Sequence, residues 1–252
     1  MKPPSPLLVV DGLRKRFGGL AATDGLSFEV APGECLALIG PNGAGKTTAI
    51  SQLFGEIRQD AGSIRFNGEI IDALPTPERV RRGIGRLYQI PQLLADDCVL
   101  DNVALAVQAS QAHSFRFWRQ ARRDPRLVAP AMAVLDRVRL AGRAGARAAD
   151  LSHGEQRTLE LAIALARGSH LLLLDEPMAG LGPSETVEMT EVIEGLKRTH
   201  TILLVEHDME AVFRLADRIC VLVAGRVVAS GTATQVRSDP QVLAAYLGTE
   251  AP

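Results

Sequence analysis

Residues Gly40-Pro41-Asn42-Gly43-Ala44-Gly45-Lys46-Thr47-Thr48 have the spacing G-x-x-x-x-G-K-[ST]. Glycines there let backbone N–H groups converge on phosphate oxygens, and the helix that follows adds partial positive charge at its N-terminus. Lys46 is placed to neutralise β- and γ-phosphate, and the Thr47 hydroxyl to ligate Mg²⁺. Further along, the apolar run Leu171–Leu174 ends in Asp175-Glu176-Pro177. Ligands of open α/β sheets sit at the carboxyl ends of strands. Asp175 is therefore expected to hold Mg²⁺ through water, and Glu176 to polarise an attacking water as general base. A glycine turn and an acidic turn are the plain readings of each stretch alone. Together they describe a site that hydrolyses a nucleoside triphosphate.

Such groups need a sheet to present them. Cys35–Ile39 is a continuous apolar run just before the glycine-rich loop, as a strand buried on both faces requires, and Thr47–Phe54 continues as a helix. Leu7–Val10 and Leu26–Val30 read as earlier strands, and residues 63–71 as a hairpin around Asn67-Gly68, a pair that tolerates positive φ. Beyond the loop helix, Ile84–Tyr88, Leu171–Leu174, Thr201–Val205 and Ile219–Val223 read as strands. Helices are expected over Ser184–Lys197 and Met209–Leu215, and this alternation implies a largely parallel sheet. Arg226–Ala229 closes a short hairpin, and Asp239-Pro240 is expected to start a terminal helix reaching Leu247. Residues 91–168 change character, with apolar spacing of helical period in Val99–Val107, Leu127–Leu140 and Leu159–Leu165. They read as a helical lobe inserted into the α/β core.

Leu151-Ser152-His153-Gly154-Glu155-Gln156 precedes a helix upstream of Asp175. Here the chain resembles the signature of the ABC ATPases, Leu-Ser-Gly-Gly-Gln, with His153 and Glu155 as departures. An ordinary Ser N-cap accounts for Ser152 locally but not for the matches that follow in order. Gln89 resembles the family's Q-loop glutamine, Ala179–Pro183 its D-loop, and His207 its switch histidine. Phe17 lies where the family sets an aromatic ring against adenine; a core aromatic at a strand end is the other reading. Arg16–Leu20, Asn102, Ala179–Leu181 with Pro183, and Ala245–Gly248 are similar to the cassettes of the branched-chain amino-acid uptake group. Gly182 departs, because most ABC cassettes carry Asp there.

The resemblance covers nearly the whole chain and implies one ABC ATPase domain over 1–252. Its fold would be a P-loop core with a mostly parallel sheet, an N-terminal antiparallel β subdomain, and an α-helical subdomain at 91–168. It implies ATP and Mg²⁺ as ligands, with Thr47, Gln89 and Asp175 around the metal and Glu176, His207 and Gln89 in catalysis. It further implies that Ser152 and Gly154 complete the site of a second cassette, a homologue or a second copy, in a head-to-tail pair. Partners would be integral membrane permease subunits and, indirectly, a solute-binding protein. The protein would then sit on the cytoplasmic face of the cell membrane, held peripherally by its permease.

Ile90–Ala95 is a candidate groove for a permease helix, with packing of the helical lobe as the alternative. Residues 113–126 interleave five arginines with Phe115, Phe117 and Trp118, which fits a solvated helix or a contact with nucleic acid or lipid headgroups. Glu188, Glu191 and Glu194 read as a solvated helix face.

A formal charge of -1 argues against a protein held on nucleic acid by bulk electrostatics. The three cysteines are widely spaced, which disfavours a zinc site or disulfide framework and suggests buried thiols. No apolar run approaches the roughly 20 residues of a membrane span, and Leu7–Val10 is too short for a signal core. An importer motor is the expected function. The alternative is a soluble ABC ATPase acting on nucleic acid or ribosomes; a P-loop kinase would need neither the signature nor His207.

Overall fold

The computed structural model describes residues 5–88, 92–111 and 124–239. Two sheets carry the chain. β1 (Leu8–Phe17), β2 (Leu20–Val30), β4 (Ala61–Phe66) and β5 (Glu69–Ile70) form an antiparallel sheet in the order β2-β1-β4-β5. Asn67 and Gly68 join β4 to β5 with φ of 50° and 81°, the left-handed pair that a two-residue hairpin loop requires.

The second sheet has the order β10-β9-β3-β8-β7-β6, built from β3 (Cys35–Ile39), β6 (Ile84–Leu87), β7 (Leu171–Asp175), β8 (Thr201–Val205), β9 (Arg218–Val223) and β10 (Arg226–Gly231). All its pairings are parallel except β9 with β10. Both faces are covered, which is why β3, β7 and β8 are apolar without alternation. Leu171, Leu173, Leu203 and Val205 pack with the first sheet and α1 (Lys46–Phe54). Leu172, Leu174, Ile202 and Leu204 pack with the helices of the opposite face. Those helices are α3 (Val99–Ser110), α4 (Pro125–Arg137), α5 (His153–Ala166), α6 (Pro183–Leu196) and α7 (Met209–Leu215). α3, α4 and α5 are all inserted between β6 and β7. No described helix is long and apolar enough to cross a membrane.

Sequence periodicity placed β3, β8 and α7 at their observed bounds. It shortened β1 and β2, whose bulged register and outward polar residues hide the alternation. It also missed α2 (Thr76–Arg81) and α8 (Ala233–Arg237), each too short to show a helical period. The terminal helix expected from Pro240 to Leu247 and most of the arginine-aromatic stretch lie outside the described residues. Cys35 and Cys220 are buried, whereas Cys98 is partly exposed. Burial pushes the Cys35 thiol up to about 12, far from reactive.

Candidate functional site

Parallel pairing puts the carboxyl ends of β3, β6, β7 and β8 on one edge of the sheet. The glycine-rich loop leaves β3 at that edge. Its two bounding glycines are dictated by neighbouring backbone. A Cβ at Gly40 would lie 2.0 Å from the Leu222 carbonyl oxygen, and one at Gly45 would lie 2.0 Å from that of Ala22. Pro41 and Ala44 close a turn between them (Ala44 N to Pro41 O, 3.2 Å), and Asn42, Gly43 and Thr47 are exposed. Thr48 is half-buried in the first turn of α1. No side chain caps that helix, so its first N–H groups are left for a ligand. Lys46 is only 5% exposed. Its Nζ donates to the carbonyls of Gly40 (2.8 Å) and Pro41 (3.1 Å), folding the cation back over the loop. Burial lowers its pKa, against the opposing pull of Glu176 and Asp175.

Asp175 ends β7 and is wholly buried. Its Oδ2 accepts from Arg86 Nη2 at 3.2 Å, while Oδ1 is buried without a hydrogen-bond partner among the described residues. Burial raises the carboxyl pKa, Arg86 lowers it, and Glu176 raises it again. An orphaned carboxylate oxygen beside a lysine and a helix start suits a hard cation with oxygen ligands. Arg86 itself is a side chain that sequence reasoning missed. It stands on β6, 6% exposed, and also bonds Ser51 Oγ (3.2 Å) and Glu56. Its only sequence signal is an arginine inside an apolar strand.

Glu176 has φ of 52°, left-handed for a non-glycine residue, and its N–H donates to Val205 O at 2.8 Å. That turn lifts the side chain off the strand, where Oε1 meets His207 Nε2 at 2.9 Å. Glu206, also missed, is buried and accepts from Met178 N (2.8 Å), His207 N (2.8 Å) and Asp208 N (3.3 Å). It ties the end of β7 to the end of β8 and so fixes Glu176 against His207. Phe17 is 49% exposed at the end of β1, beside exposed Leu20, so it is not a core aromatic. Lys15 Nζ lies 5.8 Å from the ring centroid.

Ser152 N-caps α5 and shares a capping box with Glu155. Ser152 and Gly154 bond to Glu185 near the start of α6, and among the described residues no hydrogen bond joins them to residues 40–48. Gln89, Ile90 and Pro91 lie outside the described residues. Their neighbour Tyr88 is held on α5, with its N–H to Glu160 Oε1 (2.9 Å) and its carbonyl accepting from Arg157. Of the expected permease groove, Leu93 packs on the helical core and Leu94 is exposed, its backbone clasped by Asn102 (2.9 and 3.1 Å).

Residues 23–179 match the family described as ABC transporter. The chain belongs to that family. A second family, described as the branched-chain amino acid ATP-binding cassette transporter, matches the end of the cassette at residues 226–252. The cassette is 39% identical over 253 residues to the Escherichia coli K12 high-affinity branched-chain amino acid transport ATP-binding protein LivG, covering 96% of this chain and 98% of that one. It is 37% identical to BraF of Pseudomonas aeruginosa, a protein of the same description, with 96% and 98% covered. Among solved structures it is similar to the ADP conformation of MJ1267, an ATP-binding cassette of an ABC transporter, with a TM-score of 0.84, 28% identity, and 96% and 99% covered. The fold thus agrees with the P-loop architecture read from the sequence.

Proposed function

We propose that this cassette powers uptake of branched-chain amino acids or related amides through an integral membrane permease by binding and hydrolysing ATP. The observation that carries the reading is the meeting of Lys46, Asp175 and the Glu176–His207 pair at one edge of the sheet, in a chain whose relatives are named for branched-chain amino-acid transport. Nothing favours the alternative of a soluble ATPase on nucleic acid, and a charge of -1 gives no bulk attraction to it.

In this reading the N–H groups of Gly40–Thr48 and the Lys46 ammonium hold the β- and γ-phosphates, and Phe17 covers the adenine. Mg²⁺, held by Thr47, Gln89 and, through water, Asp175, would neutralise charge on the phosphate oxygens. Glu176 takes a proton from the attacking water as the water oxygen bonds to the γ-phosphorus. The bond to the β–γ bridging oxygen breaks, and ADP leaves with that oxygen. His207 orients Glu176 and contacts the γ-phosphate. Ser152 and Gly154 of a second cassette, a homologue or another copy, close the same site from the opposite side. ATP drives that closure only through its higher affinity for the closed pair. The cassette docks at the cytoplasmic face through the permease, and a solute-binding protein selects the solute.

The test is Glu176→Gln in the complex purified through a tag on this chain. Hydrolysis is expected to fall by two orders of magnitude or more while ATP stays bound, since a missing general base is worth about 10²–10⁴ in rate. Normal turnover removes Glu176 from the mechanism. The ligand that co-purifies with the binding protein tests the solute.

A further inference from the structure

Ser152 and Gly154 already hold an anion. Glu185 Oε1 accepts from Ser152 Oγ at 2.9 Å and from Gly154 N at 3.2 Å, and Oε2 accepts from Gly182 N at 3.2 Å. These bonds hold the Glu185 carboxyl below the usual carboxylate range, so it is ionised at neutral pH. The seat is closely fitted. A Cβ at Gly154 would stand 2.8 Å from Oε1 and 2.9 Å from the carboxyl carbon, so with any other residue there the carboxylate would have to shift. One hydroxyl and one backbone N–H at the start of a 14-residue helix are also what a phosphate oxygen would take.

Two anions cannot share one pair of donors. We propose that Glu185 is a positioning residue that fills the phosphate seat of the signature in the separated cassette and must leave Ser152 and Gly154 before the γ-phosphate of a partner's ATP can enter. This rests on the reading of Ser152 and Gly154 as donors to a second cassette's nucleotide. Because Oε2 also caps Gly182, departure of the carboxylate frees the loop before α6 together with the signature. ATP-driven closure is thereby coupled to release of the segment that leads out of Asp175-Glu176. A carboxylate that merely props Ser152 in place gives the opposite expectation, because its loss would weaken ATP.

The size of the effect follows from population. If the carboxylate occupies its seat about four-fifths of the time, the competent fraction is about one-fifth and apparent ATP affinity is about fivefold weaker than intrinsic. The experiment uses the transport complex purified through a tag on this chain, with Glu176→Gln here and the same change of general base in the second cassette where that is a homologue, so that hydrolysis is blocked at both sites. Retained radiolabelled ATP is measured against Mg–ATP concentration for three further changes: Glu185→Ala, Glu185→Gln and Ser152→Ala. Glu185→Gln keeps the side-chain shape should the alanine variant fail to fold. Both Glu185 variants are expected to lower the half-saturating ATP concentration, about fivefold for alanine and less for glutamine, while Ser152→Ala loses retention. An unchanged or raised half-saturation in the Glu185 variants, with retention still lost in Ser152→Ala, overturns this inference and leaves the composite site standing. Full retention in Ser152→Ala overturns the composite-site reading and this inference with it.

Discussion

Replacing Arg86 by methionine keeps the length of the side chain and removes the cation that faces Asp175. The pair is buried on both sides, with side-chain exposures of 6% and 0%, and its contact distance is 3.2 Å. At that separation Coulomb attraction at an effective dielectric of about 20 is about 5 kcal/mol before desolvation is counted. Removing one member of a buried pair costs about 3–5 kcal/mol, because an uncompensated charge is left behind. Lys46 adds a weaker Coulomb pull, but among the described residues Asp175 Oδ1 has no hydrogen-bond partner to take over. Taking ~4 kcal/mol and ~2–4 °C per kcal/mol for a chain of this size, Tm should fall by about 8–16 °C. The deficit should depend on pH. Asp175 has a raised pKa in the wild type, and loss of Arg86 raises it further. A group whose folded pKa is raised contributes stability at low pH and loses it as pH rises through that pKa. The Arg86→Met deficit is therefore largest at alkaline pH and narrows on acidification toward the ordinary carboxylate range. Adding Asp175→Asn removes the stranded charge and should restore about half or more of the loss. Calorimetric or fluorescence melts of the four proteins across pH complete the cycle. A loss under ~1 kcal/mol, or no rescue by Asp175→Asn, shows that Arg86 does not stabilise the fold by neutralising Asp175.

Two further outcomes follow from buried groups away from the nucleotide. Burial raises the Glu160 pKa from 4.5 to about 7, so its stabilising contribution, complete near pH 4, fades as pH rises through 7. Glu160→Gln should flatten the stability profile between pH 5 and 8 by about 3 kcal/mol or less, read from urea midpoints; an unchanged slope excludes Glu160 as its source. Arg79 is buried and donates to the carbonyls of Gln52 (2.8 Å), Leu53 (2.8 Å), Leu74 (2.9 Å) and Asp72 (3.3 Å). Arg79→Met should lower stability by about 3 kcal/mol, since it strands carbonyls at the end of α1, and an unshifted urea midpoint opposes that role.

What could be read from sequence was whatever repeats with a short period or sits at fixed spacing. β3, β7 and β8 were legible because a strand covered on both faces is apolar at every position, and the candidate site residues follow directly from such runs. Asp175, Glu176 and His207 announce themselves as polar residues at the end of an apolar strand. Arg86, Glu206 and Glu185 do not. Each acts on groups far away in sequence: Arg86 on Asp175, Glu206 on Met178, and Glu185 on Ser152. Their partners are set by strand order for Arg86 and Glu206 and by the packing of α6 on α5 for Glu185, and spacing carries no trace of either. Arg79 was hidden for the same reason, since its acceptors are carbonyls and carbonyls have no sequence identity. Phe17 was ambiguous until its exposure excluded a place in the core.

The unpredicted residues share a physical task. An edge built to hold phosphate concentrates donors and carboxylates where strands end, and such groups repel or stay unsatisfied without a second layer. Arg86 takes one oxygen of Asp175 and leaves the other unmatched; Glu206 takes three backbone N–H groups and so sets His207 against Glu176. Arg157 and Glu160 reach from α5 to both backbone groups of Tyr88, the last described residue before Gln89. The helix that begins with the signature is thus tied to the strand that leads into the Gln89 segment. A displacement of α5 would therefore be felt at Tyr88 through these two side-chain-to-backbone bonds. Arg86, Glu206 and the Arg157–Glu160 pair are thus separate local supports, each holding one strand end at the edge where the candidate site residues stand.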